Sequence, residues 1–178
     1  MLRSVTAICL FCGLVACASV RDHSPALPAL GAISCCWLLQ EKIELVELAK
    51  THRFTSAVSI QKNRHVLVLF DGLGNKVFAS TRTPNSTSVD MDKSDGKIPV
   101  HILWAAINLV HAPADAWPQT NRRWRIIETE GMRILRHHSS TWAQARFNES
   151  GQGMTNVYIH FPSRNIRLEV NSMVKQSL

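Results

Sequence analysis

Apolar and polar positions alternate along most of this chain, and the period changes only once. Ile43 and Leu45 are separated by charged residues in "LLQEKIELVEL". Phe54, Ser56, Val58 and Ile60 share one side of "RFTSAVSI". "HVLVLF" is apolar almost throughout, and "KVFAST" follows it after the turn "DGLGN". Successive side chains of a strand point to opposite faces, so period two broken by turn residues predicts an antiparallel meander. A polar stretch over Arg82–Lys97 follows, with room for a short strand at Ser88–Met91.

The period then becomes helical. In "PVHILWAAINLVHAP", Ile102, Leu103, Ala106, Ile107 and Val110 fall on one face, and Trp104, Ala105 and Leu109 widen it. Pro99 suits a helix start and Pro113 a helix stop. A helix this apolar on most sides is buried or caps something apolar. It is too short to cross a bilayer, which takes about 20 apolar residues. Strand patterning resumes in "RRWRIIET", "MRILRH", "TWAQARFN", "MTNVYIHF" and "IRLEVNSM", punctuated by Gly131, "ESGQG" and "PSRN". In the last strand Ile166, Leu168 and Val170 face one way and Arg167, Glu169 and Asn171 the other. That is the mark of a sheet with one covered face and one wet face. The expectation is a mainly β domain of about eight to ten strands with one substantial helix.

The opening "MLRSVTAICLFCGLVACASVRD" follows a different logic. Arg3 precedes a short uncharged run, Val5 to Val15, which has the form of an export signal. Its end, "LVAC" at Leu14–Cys17, resembles the bacterial lipobox. That resemblance implies cleavage before Cys17 and acylation of Cys17 by palmitate-type chains. Ala18, rather than Asp, follows the cysteine, which implies the periplasmic face of the bacterial outer membrane. More than one acyl chain makes a stable anchor, at about 0.8 kcal/mol per buried methylene. The expected organisation is therefore a signal peptide over 1–16, a lipidated tether over 17–35 carrying Pro25 and Pro28, and a single domain over 36–178.

Composition refines this picture. The chain is 46% hydrophobic, enough for a real core, and its formal charge is +7. "NRRWRI" is its densest basic patch, and elsewhere basic residues alternate with apolar ones. Charge alone would allow a nucleic-acid role, but an exported lipoprotein seldom meets nucleic acid. Weak attraction to anionic lipid fits better. Of five cysteines, Cys9 and Cys12 lie in the signal and Cys17 is the acylation site. Cys35 and Cys36 are adjacent. They can form a strained vicinal disulfide in an oxidising compartment, but two small apolar residues are the preferred reading.

Catalytic signatures fail one by one. There is no GxSxG elbow, and "GLGNK" lacks P-loop spacing and runs into a strand pattern rather than a helix. His137 and His138 are neighbours on a strand pattern, so they are expected on opposite faces. His65, His101, His111 and His160 have no carboxylate or cysteine at ligand spacing. No catalytic residue, cofactor or metal is expected.

The segments "LFDGLGNKVFAS", "VHILWAAINLVHAP", "AWP", "GMRILRHHSSTWAQARFN" and "VYIHFPSRNIRLEV" together resemble a family of small uncharacterised bacterial lipoproteins. Its members often accompany aryl-polyene or fatty-acid-type biosynthesis genes. More broadly the layout resembles the outer-membrane lipoprotein carrier/receptor superfamily. The resemblance covers about Trp37 to Met173. It implies a curved antiparallel half-barrel sheet lidded by an apolar helix, with non-catalytic binding or hand-over of an apolar lipid-like molecule. That molecule would be an acyl chain, a lipoprotein lipid or a polyene lipid. Implied partners are membrane lipid through N-terminal acylation, the apolar ligand, and a periplasmic carrier or biosynthesis proteins. The alternative is a membrane-anchored accessory protein of an envelope or lipid-biosynthesis assembly with no ligand.

On that fold, the residues expected to line an apolar cavity are Phe54, Val58, Leu67, Leu69, Phe78, Ile102, Leu103, Ile107, Phe147, Ile159 and Leu168. Leu73 stands between Gly72 and Gly74, where turn chemistry has no use for a leucine. In the lipoprotein receptor a leucine in the corresponding loop protrudes to meet lipid, which implies a membrane- or lipid-contact role for Leu73. The other outcome is that Leu73 folds back and packs on its hairpin.

Overall fold

Trp37, Leu39, Ile43 and Leu45 of the first strand are buried while Gln40 and Lys42 are exposed, and this alternation recurs through the sheet. The computed structural model describes residues 24–47, 50–94, 98–118, 123–149 and 155–178. The expected signal peptide and Cys17 lie outside the described residues, as does most of "ESGQG". Among the described residues ten strands form: β1 (Trp37–Glu47), β2 (Lys50–Gln61), β3 (Arg64–Phe70), β4 (Lys76–Arg82), β5 (Thr87–Asp92), β6 (Trp124–Thr129), β7 (Met132–His137), β8 (Ser140–Glu149), β9 (Thr155–Phe161) and β10 (Ile166–Ser177). One α-helix, α1 (Val100–His111), lies between β5 and β6. Short 3-10 turns occupy Leu30–Ala32, Ala114–Ala116 and Pro162–Arg164.

All ten strands belong to one open sheet in the order β5-β4-β3-β2-β1-β10-β9-β8-β7-β6. Every pair is antiparallel. Two five-stranded meanders meet where the first strand pairs with the last, so β5 and β6 become the two edges. The segment from β5 to β6 must therefore cross from one edge to the other. It does so over the apolar face, and this is why its helix is apolar on most sides.

The sheet curls around that helix. β4 is second and β7 ninth in the strand order, which in a flat sheet would put them about 34 Å apart. Yet α1, about 10 Å across, touches both. The Trp104 indole Nε1 donates to Ser80 Oγ of β4 at 2.9 Å, and Arg133 of β7 donates to the Leu109 carbonyl at 3.1 Å. A mostly β chain with one helix on the inner face of an open antiparallel sheet is the architecture observed, and it is consistent with a half-barrel. Among the described residues no helix is long and apolar enough to cross a membrane.

Several local expectations change. Residues 17–23 of the expected tether lie outside the described ones, but from Pro25 onward the stretch packs on the domain. Pro25, Pro28, Leu30 and Ile33 are buried, and the Pro28 carbonyl accepts from Arg82 of β4. The proposed short strand lengthens to Thr87–Asp92. His137 and His138 do not point apart: their ring centroids are 4.5 Å from each other. His138 has left the strand at φ 54, in the left-handed region, so alternation stops there. Cys35 is an exposed and Cys36 a half-buried free thiol, so the two cysteines do not form the vicinal disulfide.

Candidate functional site

Eight of the eleven expected lining residues are buried in the core: Val58, Leu67, Leu69, Phe78, Ile102, Leu103, Ile159 and Leu168. Phe54, Ile107 and Phe147 are half-buried and pack against it. Five of the eleven, Leu67, Leu103, Ile107, Ile159 and Leu168, border one cavity between α1 and the sheet. That cavity is about 20 Å³. It has room for about one water molecule, against several hundred cubic ångströms for a small-molecule site. In this structure α1 therefore fills this stretch of the inner face, and a ligand lying there would have to displace it. Phe54 lies away from this cavity, at the open end near His52, Val77 and Ile98, where a recess of about 240 Å³ opens.

The inner face also carries a polar row that the sequence reading passed over. Glu41 is 4% exposed and sits in the inward register with Trp37, Leu39, Ile43 and Leu45. Its direct cross-strand neighbours are Ser56 on β2 and Ser172 on β10. Ser56 Oγ donates to one Glu41 oxygen at 3.4 Å, and Ser172 Oγ donates to the other at 3.3 Å. The pairing of β1 with β10 slips by one residue between Gln40 and Glu41, so a bulge in β10 lies beside this row. Above it stands His111, the last residue of α1, with Nε2 4.0 Å from Glu41 Oε1. That is beyond hydrogen-bond reach.

Burial decides the charge state of both groups. Loss of water pushes the Glu41 carboxyl up to about 7, and the two serine hydroxyls offset this only partly. Loss of water also pushes His111 down to about 4, helped by the positive charges of Lys175 and Arg133. Between those values both are neutral, so they form no ion pair. Glu41 and His111 both border the 20 Å³ cavity, whose remaining lining is apolar.

Two arginines of the sheet also hold α1 in place. Arg82 of β4 is buried, donates from Nη1 to Asn108 Oδ1 at 3.3 Å, and donates from Nη2 to the Pro28 carbonyl. Asn108 in turn donates to the Trp104 carbonyl at 2.7 Å. Arg133 Nη1 reaches the carbonyls of Leu109, Val110 and Ala112 at 3.1, 3.0 and 3.0 Å. These carbonyls lie at the helix C-terminus, where the last turn lacks intrahelical donors and a cation is favoured. The guanidinium also lies 5.5 Å over the Phe147 ring.

The turn between β3 and β4 settles the direction of Leu73. The Asp71 carboxylate accepts from the backbone N–H of Leu73 and of Asn75, both at 2.9 Å, and from the Asn75 side-chain amide at 3.0 Å. The Asn75 contacts hold the Asp71 carboxyl below its usual range. Gly74 adopts φ 82, which the turn needs and a residue with a Cβ resists. The backbone N–H groups of Leu73, Gly74 and Asn75 all bond to Asp71, and Leu73 is left 88% exposed at the tip.

Fold and site together define an open antiparallel sheet wrapped around one apolar helix, with a buried polar row under the helix and an exposed leucine at one turn. The chain belongs to the family described as protein of unknown function (DUF3261), whose model matches residues 38–174. No curated protein matches it.

Proposed function

We propose that the protein is an outer-membrane lipoprotein that binds or hands over an apolar lipid-like molecule, such as an acyl chain, a lipoprotein lipid or a polyene lipid, without chemistry. The observation that supports it most is α1 itself: a twelve-residue, largely apolar helix serves as the filling of a sheet's inner face. Its place could be taken by an acyl chain, each methylene of which is worth about 0.8 kcal/mol once buried. Leu67, Leu69, Phe78, Ile159 and Leu168 would then contact the chain. A half-barrel of the lipoprotein carrier/receptor kind works in this way, and Leu73 at an exposed tip would meet the membrane or the cargo. Acylation of Cys17 would hold the domain at the periplasmic face of the outer membrane.

A second reading is favoured by the small size of the cavity. A cavity of only about 20 Å³ beneath α1 suits an anchored accessory protein of an envelope or biosynthetic assembly that binds no lipid. Native mass spectrometry of the purified full chain, with lipid extraction, separates the two. Co-purifying acyl or polyene species support the lipid carrier. A consistently empty protein that also fails to take up added fatty acid rules it out.

A further inference from the structure

On the inner face of the sheet, away from the polar contacts that Ser80, Arg82 and Arg133 make with α1, three central strands put Ser172, Glu41 and Ser56 side by side. Burying a carboxyl there is costly unless its hydrogen bonds are made. The two it makes are long, 3.3 and 3.4 Å, against about 2.7–2.8 Å for a good hydroxyl bond. His111 faces Glu41 across a 4.0 Å gap that neither side chain closes. A gap of that size between two hydrogen-bonding groups is spanned by one small polar group that contacts both. The space running from it is bordered by Ile43, Leu67, Leu103, Ile107, Ile159 and Leu168.

We propose that this Ser172–Glu41–Ser56 row, with His111 above it, is the head-group seat of the lipid site, a seat that presupposes the lipid-binding reading above. It takes the hydroxyl of an uncharged single-chain amphiphile, such as a long-chain alcohol or a monoacylglycerol. The hydroxyl donates to one group and accepts from the other, between Glu41 and His111. The chain follows the apolar inner face and displaces Leu103 and Ile107 of α1. With both Glu41 and His111 uncharged between about pH 4 and pH 7, a neutral head suits the seat in that window. A phosphate head does not. The two cations that act on His111 are engaged elsewhere, Lys175 at 4.9 Å over the Trp37 ring and Arg133 on the helix carbonyls.

The test uses the purified full chain at pH 6 and displacement of the fluorescent probe N-phenylnaphthylamine. Dodecan-1-ol, dodecane and dodecyl phosphate are the competitors. Wild type should prefer dodecan-1-ol over dodecane by about tenfold, the worth of one good hydrogen bond, and dodecyl phosphate should compete no better than dodecane. Glu41→Leu should abolish the preference for the alcohol over dodecane. Glu41→Gln, which still donates and accepts, should keep most of it. The double variant Ser56→Ala/Ser172→Ala provides a second check should Glu41→Leu fold poorly, and it should weaken dodecan-1-ol alone. Binding of dodecane without preference for the alcohol overturns the seat and leaves lipid binding standing. Binding of no competitor overturns both.

Discussion

The Arg82 guanidinium donates to the Asn108 side-chain carbonyl at 3.3 Å, joining the second strand of the sheet to the last turn of the helix packed on it. The same guanidinium reaches the Pro28 carbonyl, so one buried cation ties the N-terminal segment, β4 and α1 together. Burial lowers its proton affinity, and the contacts described above are to neutral oxygens. Asn108 is fully buried and also donates to Trp104. Asn108→Ala should therefore destabilise the protein by about 2–3 kcal/mol, since it leaves a buried charged donor short of an acceptor. Urea unfolding measures this, and a loss under about 0.5 kcal/mol would show that the tie is dispensable.

Glu41 gives a pH-dependent prediction with a definite sign. Its carboxyl is pushed up to about 7 in the native state, against about 4.3 in an unfolded chain. Between those values the native state holds a proton that the unfolded chain releases. Stability from this group is full at low pH and is lost as pH rises to about 7. Glu41→Gln removes the dependence. The stability difference between variant and wild type should shift in the variant's favour by about 3 kcal/mol between pH 4.5 and pH 7.5. A difference that stays flat across the window would mean that Glu41 titrates as an ordinary carboxylate.

His65 acts in the opposite direction. It is fully buried and pairs across β3–β4 with Arg82. Burial, reinforced by that positive charge, pushes it down to about 4. Its contribution is complete above about pH 6.5, the unfolded value, and is lost as pH falls toward 4. His65→Leu should flatten the acid limb of the stability profile by about 3 kcal/mol between pH 6.5 and pH 4. Thermal melts at half-unit intervals of pH would reveal it. An unchanged acid limb would assign the loss to His111, whose shift has the same sign.

Arg133 decides how easily α1 can leave the inner face. Arg133→Met should free the carbonyls of Leu109, Val110 and Ala112. Native-state hydrogen exchange in the last turn of α1 should then speed up by about tenfold or more, as the local opening energy falls by about 1.5–3 kcal/mol. If lipid is admitted by lifting α1, the same variant should take up the fluorescent probe faster than wild type. Equal uptake with faster exchange would place the entry route elsewhere.

Leu73→Glu tests the exposed tip. Leu73 is 88% exposed, so the change should alter stability by less than about 0.5 kcal/mol. Binding of the protein to anionic vesicles should weaken several-fold, because an apolar contact is replaced by a charge that the lipid surface repels. Vesicle co-sedimentation at two salt concentrations separates those two contributions. Unchanged sedimentation at both would remove Leu73 from any membrane contact.

Much of this architecture could be read from the chain because alternation and helical spacing are local. Ile166, Leu168 and Val170 sit two residues apart on one strand and report a covered face without reference to any partner. Ile102, Leu103, Ala106 and Leu109 do the same for α1, and Pro99 and Pro113 bracket it. Leu73 was legible as an oddity among turn residues. Its outward direction was not, because it follows from how the Asp71 carboxylate captures the turn's own N–H groups. His138 was misplaced for a related reason: a positive φ at a turn ends the alternation, and no residue type announces it there.

Glu41 shows where local reading stops. Its inward register beside Leu39 and Ile43 was visible in the pattern, a carboxyl in an apolar row. Ser56 lies 15 residues away in sequence and Ser172 lies 131 away, and strand pairing makes them its immediate neighbours. Likewise, Arg133 is 21 to 24 residues from the carbonyls it caps. Periodicity along the chain set which residues would face inward and which segments would be strand or helix, since those depend on the geometry of consecutive residues. Which polar groups meet across that inner face was set by the order in which strands pair and by the curl of the sheet around α1. Those are long-range choices, made by burying the whole apolar face at once.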